Sequence, residues 1–600
     1  MKQFRTILAM FLLGAGLVAC ESLKLGDAGL SSAPEASGAT IDTLFASLKD
    51  ADKVLASAYY FLPYGMVTDF DNKMGGEQLE SLTDHYISNK RTSSAGPTLL
   101  YYNGSLSAGS SKRSSMTFNF GGQYDAKHET ADDCHYYAIR YSILFLDNID
   151  RVPDADPAEL ARKKGEARMC QAVAYADMLR YVGGVPIMDH AVLDAGEEMN
   201  FPRATFAQTV DYIVDLCDKA AEDLPWKTST NDDGRFTKAA ALGLKLRVLC
   251  FAASPTFNSK TLWRADANEY HCYTNYDAAR WQRAKDAADE FMTEWAANGY
   301  YALIQASGST PMAYRKAFRK GYFQRGTTET IISIRKSNSL DFHDKVHENQ
   351  ADYGSGGTLE YVNKFGWADG SDFPEDYDWS DSPGEQPPFF RAGVETRDPR
   401  LYETLCVPGD KWWKDKGGPV WIEADGRQVN NPGFLQMKYI LQKEGDRTTL
   451  PHWCMMRLPE ILLSAAEAHN EANGEPDAEA YEWANMVRRR VGLCDLPEGL
   501  SKQEFRAALL RERECEFGFE EVRWFDMVRW GLTEAFTTKL HGLISSAPGV
   551  YADATEFTFK VNNVYPTRSW WTNWDTKWYL APIPTDEVNK GYGMTQNPGW

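Results

Sequence analysis

Apolar residues recur at spacings of three and four along much of the chain. Phe206, Val210, Ile213, Cys217, Ala220 and Leu224 form one row, and Leu242, Leu246, Leu249 and Ala253 a second. Trp281, Ala284, Ala288, Phe291 and Trp295 form a third, and Leu458, Leu462, Ala465 and His469 a fourth. Each row lays one apolar stripe along a helix. Thr205 and Asp277 stand near the starts of two of them, where a short oxygen acceptor satisfies free backbone N–H groups. The predicted helices fall in pairs: 159–182 with 205–224, 236–253 with 277–296, and 456–472 with 477–490. Ala and Gly recur where partners cross closely. The pattern predicts a mainly α fold on tetratricopeptide-like helical hairpins, with irregular spacing between hairpins.

Two stretches break the helical pattern. Residues 66–130 are rich in Gly, Ser, Asn and Tyr, and residues 297–450 hold many Gly, Pro, Trp and Asp, with one β-like run at Thr330–Ile334. Long irregular insertions in a compact protein usually carry function. The division expected is a helical scaffold at about 41–65, 131–296 and 451–531, with loop-rich ligand-binding insertions at about 66–130 and 297–450.

The N-terminus has its own pattern. Lys2 and Arg5 precede an apolar run from Ile7 to Ala19, which ends in Leu17-Val18-Ala19-Cys20. The run is too short for a mature membrane span. It resembles a bacterial lipoprotein signal with its lipobox. That resemblance implies a signal peptide at 1–19, lipidation of Cys20, a Ser/Gly/Ala-rich flexible tether at 20–40 and a main domain at 41–600. One acyl chain binds a membrane marginally, at about 0.8 kcal/mol per buried methylene, so a multiply acylated cysteine anchors durably.

The chain has 600 residues and a net charge of −20, with no basic patch to meet phosphates. Nucleic acid is therefore not an expected partner. None of the 10 cysteines forms a CxxC pair or has a histidine at zinc-finger spacing, so they read mainly as core residues. Catalytic patterns are thin: there is no HExxH, no GxSxG, and Gly183-Gly184 before Pro186 reads as a helix stop and turn. Asp369, Asp372, Glu375, Asp376, Asp378, Asp381 and Glu385 crowd one loop, but their spacing does not fit an EF-hand. A solvated acidic loop is the better reading, and neither a metal nor another cofactor is expected. Around Arg511–Arg529, alternating Glu and Arg among Phe and Trp suggest a partly buried ion network.

Four segments taken in order resemble the SusD/RagB family of outer-membrane nutrient-binding lipoproteins. They are Gly165-Glu166-Ala167-Arg168 with Arg180–Pro186; Gly234–Ala240 running to Ala253–Asn258; Arg457–Glu460 with Ala465–Ala468 and Asn485–Arg488; and Arg511–Arg513 with Glu516-Phe517, Arg523–Asp526 and Arg529–Gly531. The chain closes on Pro582-Ile583-Pro584 and Gln596–Trp600. The resemblance implies four tetratricopeptide-like hairpins, loop insertions that bear the ligand site, and no enzyme activity. It also implies a SusC-like TonB-dependent barrel as partner, capture of glycans at the cell surface, and attachment to the outer membrane through the lipid.

A sugar site needs an aromatic face for the C–H side of a pyranose and planar polar groups for its hydroxyls. In the first insertion the candidates are Asp69, Tyr86, Tyr101, Tyr102 and Asn103. In the second they are Tyr353, Tyr361, Trp367, Trp379 and Trp412, with loop packing as the rival role for each ring. Two other functions stay open: a peptide-binding RagB-like lid, and a helical glycoside hydrolase of the (α/α) barrel type, which the irregular hairpins disfavour.

Overall fold

The structure, a computed structural model, describes residues 40–600 apart from 68–73, 75–76, 91–96, 111–134, 154, 192–199, 336–345, 347–348, 351–352, 381–386, 414–415, 418–431, 441–451 and 547–556. Cys20, the signal segment, the tether and Asp69 lie outside these residues. So do all of 111–130 and part of the acidic loop.

The scaffold is a continuous stack of helices. Helix α1 (Leu48–Tyr60) packs on α2 (His135–Asn148), α2 on α3 (Pro157–Val182), and α3 on α4 (Phe206–Asp223). Helix α5 (Lys238–Ala253) follows against α4, and α6 (Ala279–Asn298) against α5. After α7 (Pro311–Phe323) and the second insertion, α8 (Leu458–Asn473) returns to pack on both α6 and α5. Helices α9 (Ala478–Arg490) and α10 (Lys502–Phe517) then pack on α8, and α11 (Arg523–Arg529) follows α10. The chain thus leaves the stack for the insertion and re-enters where it left. The mainly α, tetratricopeptide-like scaffold is as the hydrophobic pattern predicts.

The four apolar rows face inward. Phe206, Val210, Ile213, Cys217 and Ala220 are all buried, as are Leu242, Leu246, Leu249 and Ala253. Helix α5 is buried on every side, which suits its place at the centre of the stack. Local chemistry sets the ends. Thr205 forms a capping box with Gln208, Asp156 caps α3 ahead of Pro157, and Ser501 pairs with Glu504 at the start of α10. The Asp277 carboxylate accepts from Ala279 N at 2.9 Å, just before α6. Gly183 stops α3 at φ 83°, and a Cβ there would stand 2.7 Å from the Tyr270 carbonyl oxygen. Among the described cysteines, all thiols are free, and Cys494 is the exposed one.

Every sheet among the described residues has two strands. Strand β1 (Tyr86–Ile87) pairs with β3 (Gly356–Gly357), and β2 (Thr330–Ile334) pairs antiparallel with β4 (Trp453–Arg457). The β2–β4 ladder sets Trp453 opposite Ile334 and so ties β2, within the second insertion, to the strand that leads back into the scaffold. Strands β5 (His541–Ser546) and β6 (Thr558–Asn563) form a hairpin near the C-terminus.

The expected ion network is present and more deeply buried than its sequence suggests. Arg457, Arg490, Glu329 and Glu516 have side chains with no solvent exposure. Glu516 meets Arg490 at 2.5 Å, Arg457 at 2.7 Å and Arg400 at 3.1 Å. Arg400 also meets Glu512 at 2.5 Å and Asp398 at 2.8 Å. Burial raises the Glu516 carboxyl, but Arg490, Arg457 and Arg400 outweigh it and hold it well below the usual carboxylate range. A neighbouring set links Arg513 to Asp526 at 2.7 Å and joins Arg529 to both Asp526 and Glu467. These contacts tie α8, α9, α10 and α11 to the second insertion.

Candidate functional site

The two irregular insertions meet. Beyond the β1–β3 pairing, Asn89 N donates to Ser355 Oγ at 2.9 Å, and Lys90 Nζ donates to Asn349 Oδ1 at 3.2 Å. Thr358 Oγ1 donates to the Asp84 carbonyl at 2.5 Å. Gln78 Nε2 donates to Gln436 Oε1 at 2.7 Å, while Gln436 N donates to Gln350 Oε1 at 2.6 Å. Planar amides and one ammonium, all buried, fasten the seam. Tyr353 stands half-buried at its edge, with Lys90 Nζ 5.3 Å above the ring centroid.

The individual aromatic candidates fare differently from the region. Tyr86, Tyr101, Tyr102 and Tyr361 are buried, and Trp367 and Trp379 keep only 8% and 6% exposure. None of these rings offers a face to solvent, so the expectation that they stack on a sugar is corrected here. Each has a packing role in its place. Tyr86 sets an edge against Phe519 at 5.6 Å, and Tyr101 lies edge-on to Trp524 and Trp570. Tyr102 accepts from Ser88 N at 3.1 Å, with Arg568 4.9 Å over its ring. Tyr361 donates to the Glu514 carbonyl at 3.0 Å and stacks on His85 at 3.7 Å. Burial pushes its phenol far above the ordinary range.

Trp367 and Trp379 belong to a second core inside the insertion, with Phe373, Phe389 and Tyr402. Phe373 lies 5.0 Å from Trp367 and 5.9 Å from Trp379. Arg397 anchors this core. It stacks 3.4 Å over Phe373 and donates to the carbonyls of Val362 and Phe365, at the C-terminal end of the short helix 359–364. No carboxylate salt-bridges it among the described residues, and burial pushes its guanidinium down to about 9. The helix-end carbonyls take the place of a counter-ion.

Asn103 is exposed at the end of helix 97–103, where its Oδ1 accepts from Ser105 N at 3.0 Å. Trp412 lies in a short strand, 411–413, but its side chain is outside the described residues, as is Asp69. Among the described candidate side chains, Asn103 and Tyr353 are thus the ones that reach solvent. The sequence reading missed Lys90, Asn349 and Gln436. All three lie in the irregular insertions and are buried there, brought together by the β1–β3 pairing and by the bridge from Gly357 to Phe434.

Other groups have structural partners. Asp369 and Asp378 turn their carboxylates onto Ser371 and Ser380 of their own loop, and Asp372 meets Arg511 at 2.5 Å. His469, Asp477 and Glu479 lie close together. The His469 ring is engaged at both nitrogens, by Asp477 at 2.8 Å and Asp289 at 2.9 Å. The other Asp477 oxygen caps α9 by accepting from Ala480 N at 2.8 Å. That arrangement clamps α6, α8 and α9 together. No helix among the described residues is long and apolar enough to cross a membrane.

Comparison with known proteins places this architecture. Residues 314–600 match the model of the SusD family, and residues 82–249 match a model described as starch-binding, associating with outer membrane. The SusD-like protein P2 of Formosa agariphila is 24% identical over 450 residues, spanning 72% of this chain and 73% of that protein. SusD-like protein P38 of the same organism is 25% identical over 434 residues, spanning 67% and 73%. A SusD-like protein of Bacteroides fragilis has the same fold at a TM-score of 0.69 and 22% identity, covering 95% of this chain and 100% of that one. A second B. fragilis structure, described as a SusD-like carbohydrate binding protein, aligns with a TM-score of 0.63 and 20% identity over 91% and 99%. With the two family models met in chain order and the helical stack shared along nearly its whole length, the chain belongs to the SusD/RagB family.

Proposed function

We propose that this protein is a cell-surface glycan-binding lipoprotein that captures oligo- or polysaccharide and serves as the lid of a TonB-dependent outer-membrane transporter. The observation that carries the reading is the match of residues 82–249 to a family model described by starch binding and outer-membrane association. The carbohydrate-binding description of one B. fragilis relative supports it. So does the lipobox-like run ending at Cys20, which would hold the lid on the membrane while 20–40 lets it swing.

The seam between the insertions is the proposed capture site. Tyr353 supplies a half-buried ring at its edge for the C–H face of a sugar, and the buried Lys90 and amides beneath it, bonded across the seam, hold that ring in place. Capture followed by release into a barrel calls for modest affinity, about −4 to −8 kcal/mol, or millimolar to micromolar. Repeated units of a polymer add avidity. Isothermal titration of the chain from Cys20 onward against polysaccharides and peptides tests this. Glycan binding weakened by Tyr353→Ala is the expected result. Binding to peptides alone, or to nothing in the panel, overturns it. In cells, Cys20→Ala is expected to move the protein from the membrane to the soluble fraction and to impair uptake. Full uptake by that variant refutes the tethered lid.

A further inference from the structure

A roomy concavity lies where the helical scaffold meets the end of β2 in the second insertion. It has a volume of about 310 Å³ and sits where the end of α1, the turn 231–235 before α5 and the end of β2 come together. That volume is at the lower end of the small-ligand range. Tyr60 forms one wall and is 47% exposed, among the most exposed large rings of the described chain. An edge-to-face contact with Phe61 at 5.2 Å orients it. An exposed tyrosine held in one orientation by its neighbour is a preorganised stacking platform.

The polar wall is equally well held. Arg335 Nη2 donates to Asp233 Oδ2 at 2.5 Å, and its Nη1 donates to the Asp233 carbonyl at 2.9 Å. Gly234, at φ 95°, lets the Arg335 guanidinium lie against the turn, where a Cβ would come within 3.1 Å of it. Below, Arg235 meets Glu166 at 2.9 Å and Asp52 at 3.0 Å, and Tyr59 Oη donates to the same Glu166. Asp232 keeps 42% of its side chain in solvent, and Asn231 is exposed beside it.

Charge selects the ligand class. Two arginines, Arg235 and Arg335, and two aspartates, Asp232 and Asp233, line the concavity, so it carries no net charge. Its arginines are already paired with carboxylates, Arg235 with Glu166 and Asp52 and Arg335 with Asp233, so the lining offers no unpaired charge for an ionic ligand. A neutral molecule rich in hydroxyls can accept from the guanidinium and donate to the carboxylates at once. Across the same turn a smaller hollow shares Asp233, Gly234 and Arg235 and is walled by Tyr300. Tyr300 is 42% exposed and sits at φ 71°, a left-handed conformation that a tyrosine rarely adopts and that tends to mark functional positions. Two exposed rings therefore flank this turn.

We propose that this groove is a second binding site for a neutral oligosaccharide, with Tyr60 as the stacking face and Asn231, Asp232 and the Asp233–Arg335 pair as partners for its hydroxyls. It is built from the end of α1, the turn before α5 and the end of β2, and it stands or falls separately from the seam. Two sites on one tethered lid would let a long glycan be held at both at once, which raises avidity without new contacts at either.

Saturation-transfer NMR on the chain from Cys20 onward, with maltohexaose, cellohexaose, xylohexaose and mannohexaose as neutral probes and trigalacturonate as the acidic one, tests the proposal. At least one neutral probe is expected to give a signal that Tyr60→Ala lowers about tenfold in affinity and Tyr60→Phe retains. Tyr353→Ala is expected to leave that Tyr60-dependent signal in place. Asp232→Ala, at the exposed rim, is expected to weaken the same probe and keeps the test readable if Tyr60→Ala lowers the melting temperature. No signal from any neutral probe, a signal from trigalacturonate alone, or full binding by both Tyr60→Ala and Asp232→Ala overturns it. Binding lost in Tyr353→Ala but untouched in Tyr60→Ala refutes this site while sparing the one at the seam.

Discussion

Replacing Glu516 with Gln tests what holds the second insertion to the scaffold. The carboxylate has no solvent exposure and takes charge-assisted hydrogen bonds from Arg490 at 2.5 Å, Arg457 at 2.7 Å and Arg400 at 3.1 Å. Glutamine matches its shape, so no cavity forms. It removes one negative charge from among three guanidinium groups and turns an NH2 donor toward at least one of them. Breaking a buried pair in this way costs about 3–5 kcal/mol. The lower end applies here, because Glu329, Glu520, Glu512 and Asp398 still face the same arginines. Arg489→Ala is the control. It cuts two ion pairs, to Glu482 and Asp495, but its side chain is 46% exposed, so the cost is about 1 kcal/mol or less. Urea unfolding followed by tryptophan fluorescence, at pH 7.5, reads both. If Glu516→Gln unfolds within about 1 kcal/mol of Arg489→Ala, the network is not what joins the insertion to α8, α9 and α10.

Three further outcomes follow from other parts of the fold. Burial pushes the His452 imidazole down to about 3, so above that pH it is neutral when folded. The unfolded chain takes up that proton first, near pH 6.5, and stability falls as pH drops from there toward the folded value, by up to about 1.4 kcal/mol per pH unit. His452→Asn should therefore flatten the pH dependence of unfolding between pH 6 and 5, and an unchanged slope refutes this. Arg397→Ala should strip the guanidinium from the Phe365 carbonyl, at a cost of about 1–3 kcal/mol, while Val362 keeps its bond from Phe365 N. Proteolysis should then cut within 360–400 first, and cleavage elsewhere refutes the anchoring role. Gly183→Ala should lower the melting temperature by several degrees, since it adds a Cβ to a left-handed backbone against the Tyr270 carbonyl; an unchanged value counts against that contact.

The scaffold was legible because helices repeat. Each apolar row in α4, α5, α6 and α8 buries the residues its spacing selects, apart from the half-buried Trp295 at the end of α6, and Thr205 and Asp277 accept backbone N–H groups where the pattern begins. Opposite charges around Glu512–Arg529 were legible as a network, but their depth was not. No local spacing shows that Arg400 and Arg457 come from distant segments to meet Glu516. The seam was half legible. Its two stretches were visible as irregular insertions, yet the pairing of Tyr86 with Gly357 joins residues far apart in sequence. The groove at Tyr60 was not legible, because it is assembled from a helix end, a turn and a strand end.

The aromatic candidates went astray for a physical reason. An insertion without long helices or wide sheets has no periodic face on which to build a core. It must bury area through single large side chains, and a tryptophan or tyrosine removes 150–250 Å² from water at once. Trp367, Phe373, Trp379 and Phe389 do this, packed ring against ring beneath Arg397. Richness in aromatics therefore signals core demand in a loop region as much as a ligand surface. Among the rings that stay in solvent, Tyr60 and Tyr300 stand at the ends of scaffold elements whose core is already filled by helical stripes. A ring the core does not need has no packing reason to be exposed, so exposure on a saturated scaffold is the stronger pointer to a ligand. On that argument the helix ends, where packing asks for nothing aromatic, are the first places to look for stacking platforms in this fold.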